Sequence, residues 1–232
     1  MTETILLTGA NRGIGLEFVR QFAGAGARVY AACRSPESAH ELNKLAAAHQ
    51  GQVSVHPLDV TNDTQRKALG AALNGTAIDI LLNNAGVYGN GANVFGEIDE
   101  QVWLDTFHAN TIAPLKMAEV FVDNVAASKR KIIATISSKV GSIADNSGGG
   151  SYCYRSSKSA VNMAMKSLSL ELKDRGITCL TMHPGWVQTD MGGSNALIDT
   201  EQSVSMLRSV LAGARPEDNG KYLDKDGSII PW

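Results

Sequence analysis

The chain has 232 residues, a formal net charge of -2 at pH 7 and three cysteines. Neither sign of charge gathers in a long block, so nucleic acid and anionic membranes are not expected partners. The cysteines form no Cys-x-x-Cys pair, which favours a reducing compartment, and no Cys/His spacing indicates a metal site. The chain does not open on a basic and apolar leader, and its apolar runs are too short to span a bilayer. A cytoplasmic, soluble protein is therefore predicted.

Short apolar runs typical of buried strands alternate with longer segments of helical periodicity. The predicted strands are residues 4–8, 28–33, 53–56, 78–82, 131–137 and 178–183. Repeated strand–helix units predict a doubly wound parallel sheet of about seven strands, with helices on both faces. No linker, repeat or composition break divides the sequence, so residues 1–232 are predicted to form a single domain.

Two helix starts and one loop can be placed from local signals. Asp63 and Asp99 each stand before an amphipathic pattern, where helix N-caps are expected. The glycine-rich and polar segment 185–198 follows the last long predicted strand. Because ligands bind at the carboxyl ends of parallel strands, this segment is predicted to be a mobile lid.

A glycine-rich turn, Thr-Gly-Ala-Asn-Arg-Gly-Ile-Gly, joins the first predicted strand to a helical pattern. Glycines allow a tight turn and a close approach to a pyrophosphate, and the helix N-terminus offers free N–H groups to the anion. An ordinary strand–helix turn is the alternative. The spacing resembles the TGxxxGxG of short-chain dehydrogenases/reductases, which implies a Rossmann fold and a dinucleotide site. The cofactor-binding residues predicted here are Gly9, Asn11, Arg12, Gly13, Ile14 and Gly15.

The residue after the second strand indicates which dinucleotide binds. An acidic residue there would accept hydrogen bonds from the 2′-hydroxyl of NAD, but this sequence has Cys33 and then Arg34. Arg34, together with Arg12, offers positive charge for a 2′-phosphate. NADP(H) is therefore favoured, NAD(H) remains possible, and the alternative is that both arginines are solvated surface residues.

Further motifs of the same family follow in order along the chain. The resemblance implies that Asp59 and Val60 lie beside the adenine and that the Asn-Asn-Ala-Gly motif shapes the floor under the adenine and ribose. It also implies that the Pro-Gly motif and the residues after it meet the nicotinamide end. The residues carried over are Asn84, Ala85 and Gly86, then Pro184, Gly185, Val187 and Thr189.

A tyrosine and a lysine four residues apart form the predicted catalytic pair. On a helix, Tyr154 and Lys158 lie on one face, and both are also expected to contact the cofactor. A tyrosine hydroxyl has a pKa of about 10, and a nearby ammonium would lower that pKa toward the range useful for proton exchange. Tyr152 is six residues from Lys158 and would point elsewhere, which favours Tyr154. Taken alone, the pair would indicate only a surface helical contact.

The family resemblance implies two further catalytic residues. Ser138, the second serine at the end of the fifth predicted strand, is expected to hydrogen-bond the substrate oxygen. Asn110 is expected to help hold Lys158 through a water, and the alternative is a polar residue that bends its helix. The interval from Ser138 to Tyr154 is longer than in most members. The substrate-reading loops are expected at 86–96, 141–150 and 185–198.

Residues 149–155, 182–186 and 226–232 resemble most closely the branch that contains C-factor and sniffer-type carbonyl reductases, and the last of these segments is expected to form or flank a final strand. The same resemblance implies a small region after Thr189 with a single helix near 201–212. The predicted function is NADP(H)-dependent interconversion of a small-molecule carbonyl and an alcohol, with Tyr154 as general acid/base. The alternative is a nucleotide-binding regulatory or signalling protein of C-factor type with little turnover. The family resemblance further implies a homo-oligomer, a dimer or a tetramer.

Overall fold

A computed structural model describes residues 2–89 and 94–232, and its centre is a parallel sheet of seven strands. The spatial order is β3-β2-β1-β4-β5-β6-β7. All six predicted strands are present, and the predicted fold class is confirmed. The strands are β1 Thr4–Thr8, β2 Arg28–Cys33, β3 Val53–Pro57, β4 Ile80–Asn83, β5 Ile132–Ile136, β6 Thr178–Met182 and β7 Lys221–Leu223.

Helices connect the strands and cover both faces of the sheet. They are α1 Gly13–Gly24, α2 His40–Ala48, α3 Asp63–Ala72, α4 Glu100–Phe107, α5 Ala113–Ala126, α6 Tyr152–Glu171 and α7 Thr200–Gly213. The helix predicted near 201–212 is therefore α7. A π-helical turn, His108–Ile112, joins α4 to α5.

One of the two predicted helix caps is correct. Asp99 accepts a hydrogen bond from the backbone N–H of Val102 at 3.0 Å. The prediction for Asp63 was wrong by one residue, because the N-cap of α3 is Asn62, whose side chain accepts from Gln65 N–H. Asn62 has the extended backbone that a cap requires, and Asp63 begins the helix, where its carboxylate pairs with Arg66 and Lys67.

Alternation along the strands divides the buried side chains into two cores. Ile5 and Leu7 of β1 pack on one face of the sheet with Phe18 of α1 and Leu207 of α7. Leu6 points to the other face and joins the core formed by α3, α5 and α6. The face of the sheet changes at each residue, so a strand covered on both sides is apolar throughout.

The segment after β7 flanks the final strand at the sheet edge. The sequence analysis expected this segment either to form or to flank that strand. Leu223 of β7 pairs with Ile229 in an antiparallel bridge, and Ile230 N–H donates to the carbonyl of Tyr222 at 2.8 Å. Within the described residues, no helix is long and apolar enough to cross a membrane.

Phe121 offers a test of the second core. Its side chain is fully buried between α5 and the sheet. Phe121→Ala should lower the free energy of unfolding by about 3 to 5 kcal/mol, because truncation leaves a cavity in a close-packed interior. Urea denaturation measures this loss. Leu197→Ala, at a side chain that is 78% exposed, is the matched control and should change stability by no more than about 0.5 kcal/mol. Equal losses in both variants would contradict this assignment of the core.

Candidate active site

The glycine turn between β1 and α1 leaves no room for side chains at two positions. Gly9 has φ +68°, and a Cβ placed there would lie 2.8 Å from the Cα of Ala85. A Cβ on Gly15 would lie 2.0 Å from the carbonyl oxygen of Gly9. The turn is therefore pressed against the end of β4, and both positions require glycine.

A hydrogen-bonded clamp joins the ends of β1 and β4. The Thr8 hydroxyl accepts hydrogen bonds from the N–H groups of Asn84 and Ala85, each at 3.1 Å. In return, Asn84 Nδ2 donates to the carbonyls of Thr8 at 3.0 Å and Gly9 at 3.1 Å. Asn84 therefore shapes the turn itself in addition to any contact with a ligand.

The resulting cradle fits the pyrophosphate of a dinucleotide. Helix α1 begins directly at Gly13, carries no acidic residue in its first turn and has no side chain bonded to its N-terminal N–H groups. Those donors and the helix dipole favour an anion. Asn11 and Arg12 are exposed and Ile14 is partly buried at the mouth of the cradle.

Arg34 and Asp59 lie together beyond the ends of β2 and β3. Burial alone would raise the pKa of Asp59, but hydrogen bonds from Thr61 and the positive charge of Arg34 lower that pKa below its usual value. The Asp59 carboxylate accepts from both Thr61 N–H and the Thr61 hydroxyl. Arg34 is exposed. The Val60 carbonyl accepts a hydrogen bond from Arg66 at 2.6 Å. The positive charge of Arg34 therefore lies beyond the end of β2, next to Asp59.

Arg12 makes an ion pair that the sequence did not indicate. Its guanidinium pairs with Asp190 at 2.8 Å, and the two side chains are 68% and 79% exposed. Because exposed pairs contribute little, this contact leaves Arg12 able to exchange partners. It links the glycine turn to the segment that follows β6.

The segment after β6 lies opposite the glycine turn. A Cβ on Gly13 would stand 3.3 Å from Cγ2 of Thr189. The segment is folded as a loop, in which Val187 bridges Ile198 and Trp186 Nε1 donates to the Gly192 carbonyl at 2.8 Å. Gly185 has φ +87°, and the Pro184 carbonyl accepts from Ser203 at 2.7 Å. Thr189 therefore lies next to the glycine turn, whereas the nicotinamide contacts of Pro184, Gly185, Val187 and Thr189 and the mobility of this lid stay predictions.

Tyr154, Lys158 and Ser138 meet where α6 packs against the end of β5. Tyr154 hydrogen-bonds the Ser138 side chain. Lys158 Nζ donates to the carbonyl of Ile136 at 2.9 Å and lies 5.6 Å from the centre of the Tyr154 ring. Tyr152 is 37% exposed. The helix therefore brings Tyr154, and not Tyr152, to the serine and the lysine.

Burial dominates the protonation of this cluster. It raises the pKa of Tyr154 to about 12, and the hydrogen bond from Ser138 lowers it only in part. Burial also lowers the pKa of Lys158 to about 8. In the chain without cofactor, the desolvation of Tyr154 outweighs any lowering by the lysine, and the lowering of the tyrosine pKa beside an oxidised cofactor stays a prediction.

Asn110 sits in the π-helical turn and is buried. Its Oδ1 accepts from Val87 N–H, and its Nδ2 donates to the Val87 carbonyl, both at 2.8 Å, and to Ser157 at 3.0 Å. A Cβ on Gly86 would lie 3.1 Å from Asn110 Oδ1 and 3.6 Å from Lys158 Nζ. The side chain thus fixes the loop after β4 next to Lys158, and π-turns interrupt the regular helical pairing at such functional sites. Its link to Lys158 through a water stays a prediction.

Sequence reasoning missed one aromatic neighbour of Tyr154. The Tyr88 ring lies 4.9 Å from the Tyr154 ring, and its hydroxyl is 2.7 Å from the Ser151 hydroxyl. Tyr88 follows the Asn-Asn-Ala-Gly motif by two residues, which was the available signal. The predicted loop 86–96 contains residues 90–93, which lie outside the described residues. His183 follows β6, and burial lowers its pKa to about 4.

Residues 3–197 match the family model described as short chain dehydrogenase. The chain belongs to the short-chain dehydrogenase family. C-signal of Myxococcus xanthus is 38% identical over 155 residues, which are 67% of this chain and 93% of that protein. The carbonyl reductase Sniffer of D. melanogaster has a TM-score of 0.92 at 32% identity over 100% of both chains. NADPH-bound carbonyl reductase from chicken fatty liver has a TM-score of 0.92 at 33% identity, over 100% of this chain and 99% of that one.

These similarities confirm the family and the branch that the motifs indicated. The short-chain dehydrogenase is accordingly an oxidoreductase, and its fold agrees with solved members over its whole length. The glycine turn, the Asn84 motif and the Tyr154/Lys158 pair all lie inside the matched range.

The buried lysine predicts a pH dependence of stability. Its pKa is about 8 in the folded chain against 10.5 for a free side chain. Between these values the unfolded chain binds more protons at this site, so the free energy of unfolding contributed by Lys158 rises with pH. Relative to Lys158→Met, the native chain should gain about 3 kcal/mol across that window.

Urea denaturation of both proteins at several pH values measures this gain. Tyr154 titrates in both proteins, so its contribution cancels in the difference. Lys173→Met, at an exposed lysine just beyond α6, should run parallel to the native chain. A constant difference between the native chain and Lys158→Met would show that Lys158 keeps its ordinary pKa.

Proposed function

We propose that this short-chain dehydrogenase reduces aldehydes or ketones to alcohols with NADPH, and that Tyr154 provides the proton. The observation that carries the proposal is the contact of the half-buried Tyr154 with the buried side chains of Ser138 and Lys158. The same cluster borders Gly86, at the strand end that forms the floor of the cradle. Acid, polarising donor and cofactor cradle thus share one edge of the sheet.

Residues of this chain fit each part of the dinucleotide. The glycine turn would hold the pyrophosphate, Arg34 the 2′-phosphate, and Asp59 and Val60 the adenine. Asn84, Ala85 and Gly86 would lie under the ribose, with Val187 and Thr189 at the nicotinamide end. When bound, the cofactor supplies the hydride. The relative from chicken fatty liver is described as NADPH-bound, which supports the preference for NADP(H).

The protonation states of the cluster suit proton donation. A tyrosine with a pKa of about 12 stays protonated at neutral pH and gives up its proton only to a strong base such as a developing alkoxide. Ser138 would hydrogen-bond the same oxygen and so stabilise its growing negative charge. Lys158, with a pKa of about 8, is largely protonated near pH 7 and lies close enough to stabilise the tyrosinate that remains.

Tyr154→Phe tests the assignment of the acid. It removes one hydroxyl and keeps the ring, so kcat/KM for a panel of carbonyl compounds with NADPH should fall by about 100-fold to 10,000-fold. NADPH affinity, followed by cofactor fluorescence, should change by less than about threefold, because most of the binding surface is elsewhere.

Tyr152→Phe is the matched control and should retain native turnover. Native kcat/KM in Tyr154→Phe would reject the assignment. Tight NADPH binding by the native chain with no turnover across the panel would instead favour the regulatory alternative that its similarity to C-signal raises.

Arg34→Asp tests the cofactor preference. Loss of a charge-assisted contact costs about 1.5 to 3 kcal/mol, and the new carboxylate would repel the 2′-phosphate and accept from a 2′-hydroxyl. The ratio of kcat/KM for NADPH over NADH should fall by at least about 10-fold.

Arg28→Asp makes the same change at the opposite end of β2 and should leave the cofactor ratio unchanged. If Arg34→Asp also leaves it unchanged, Arg34 is a solvated surface residue, as the sequence alternative states.

A further inference from the structure

Tyr222 on the edge strand β7 contacts the backbone of Ser138. The tyrosine is 1% exposed, and its hydroxyl donates a hydrogen bond to the Ser138 carbonyl oxygen. Strand β6 separates β7 from β5, so this contact crosses a strand to reach the residue after β5. The Ser138 side chain hydrogen-bonds Tyr154. Tyr222 therefore holds the backbone of the same serine whose side chain contacts Tyr154.

Polar groups around the Tyr222 hydroxyl tie three elements together. Asn162 of α6 and Ser137 lie beside it, and Ser137 donates to Asn162 Oδ1 at 2.6 Å. Asn162 lies one helical turn beyond Lys158. Burial raises the pKa of Tyr222 well above its usual value, so its hydroxyl stays protonated and remains a donor at any pH at which the enzyme is assayed.

Residues 230–232 cover this tyrosine and bind the loop that follows Ser138. The Trp232 ring stacks on Tyr222 with centres 5.4 Å apart and planes at 26°. The buried Ser142 donates to the Pro231 carbonyl at 2.6 Å, and Ala144 N–H donates to the Trp232 carbonyl at 3.0 Å. The terminal motif noted in the sequence therefore packs against the same loop as Tyr222.

Ser138 needs such support because it lies outside the sheet. Strand β5 ends at Ile136, and Ser138 has an extended backbone with φ -154° and ψ 139° before a short 3₁₀ turn. Its carbonyl accepts one bond from Gly141 N–H at 2.8 Å and one from Tyr222. The first bond lies within the loop, whereas the second ties the loop to the sheet.

We propose that Tyr222 is a positioning residue for proton transfer: it fixes the peptide of Ser138, and thereby the direction of the Ser138 hydroxyl, while Trp232 shields the contact from water. The inference rests on the proposed function, because the direction of Ser138 affects turnover only if Tyr154 is the acid. Neither residue is placed against the substrate or cofactor.

Tyr222→Phe removes the hydroxyl alone. With Ser138 less firmly directed, kcat should fall by about 5-fold to 20-fold while KM for NADPH stays the same. KM for NADPH is the readout that separates positioning from a general structural defect, because the cofactor cradle does not include Tyr222. Tyr30→Phe, at a half-buried tyrosine of β2, is the matched control and should leave kcat and KM for NADPH unchanged.

A double variant separates positioning from a general structural effect. If Tyr222 acts through Ser138, Tyr222→Phe should have no further effect on kcat in the Ser138→Ala background. Full additivity of the two losses would overturn the inference. So would a native kcat in Tyr222→Phe, even though Tyr154→Phe is inactive, and that result would leave the proposed function intact. Absence of turnover in the native chain would reject the proposed function itself.

Trp232→Leu covers the case in which Tyr222→Phe does not fold, as judged by its thermal melting. This variant keeps the Tyr222 hydroxyl but exposes it to water. It should lower kcat by a smaller factor than the one expected for Tyr222→Phe, with KM for NADPH unchanged, and a native kcat would contradict the proposed role of this contact.

Discussion

The clamp between Thr8 and Asn84 is the contact on which the site depends. Strand order reverses between β1 and β4, since the chain runs outward through β2 and β3 and then returns to the other side of β1. The connections on either side of such a point diverge and leave a crevice. Four hydrogen bonds between Thr8, Gly9, Asn84 and Ala85 close the floor of this crevice. The glycines then follow as a consequence, because the same approach leaves no space for a Cβ on Gly9 or Gly15.

Buried polar groups connect the floor of the crevice to the cluster of Tyr154 and Lys158. The Asn110 amide forms hydrogen bonds with Val87 and Ser157, and the Lys158 ammonium donates a hydrogen bond to the Ile136 carbonyl. Each group is paired with backbone or with a neighbour that is itself paired, which is the condition for burying it at tolerable cost. A buried lysine of lowered pKa and a half-buried tyrosine of raised pKa result, and desolvation is the main cause of both shifts. A negative charge formed on Tyr154 would reverse this balance, because it favours the protonated form of Lys158.

Local signals predicted the parts of the molecule that local physics decides. The strands follow from apolar runs, the glycine turn from its place between a strand and a helix, and the preference for Tyr154 over Tyr152 from helical spacing. The Asn62 cap was missed because two short polar residues stand side by side and only the backbone selects one. The raised pKa of Tyr154 in the chain without cofactor could not be foreseen, because the sequence shows a lysine four residues away but not the desolvation of the tyrosine. Arg12 with Asp190, and Tyr222 with Ser138, join residues far apart in the chain, and no local pattern encodes such pairs.

The two sides of the crevice are built differently, which bears on how selective the enzyme can be. The cofactor side consists of backbone contacts that tolerate no added atom. The loops after β4, β5 and β6 instead carry exposed aromatic and aliphatic side chains, among them Tyr88, Ile143 and Trp186. Because loops at the carboxyl ends of parallel strands meet at one edge, these side chains share the edge that holds Tyr154. Exposed apolar groups favour any ligand that covers them and discriminate weakly between shapes, since one methylene in an apolar contact is worth only about 1 to 3 kcal/mol. Selectivity under the proposed function would therefore rest on the fixed direction of the Tyr154 and Ser138 hydroxyls toward one oxygen, and the support of Ser138 from β7 acts on that direction.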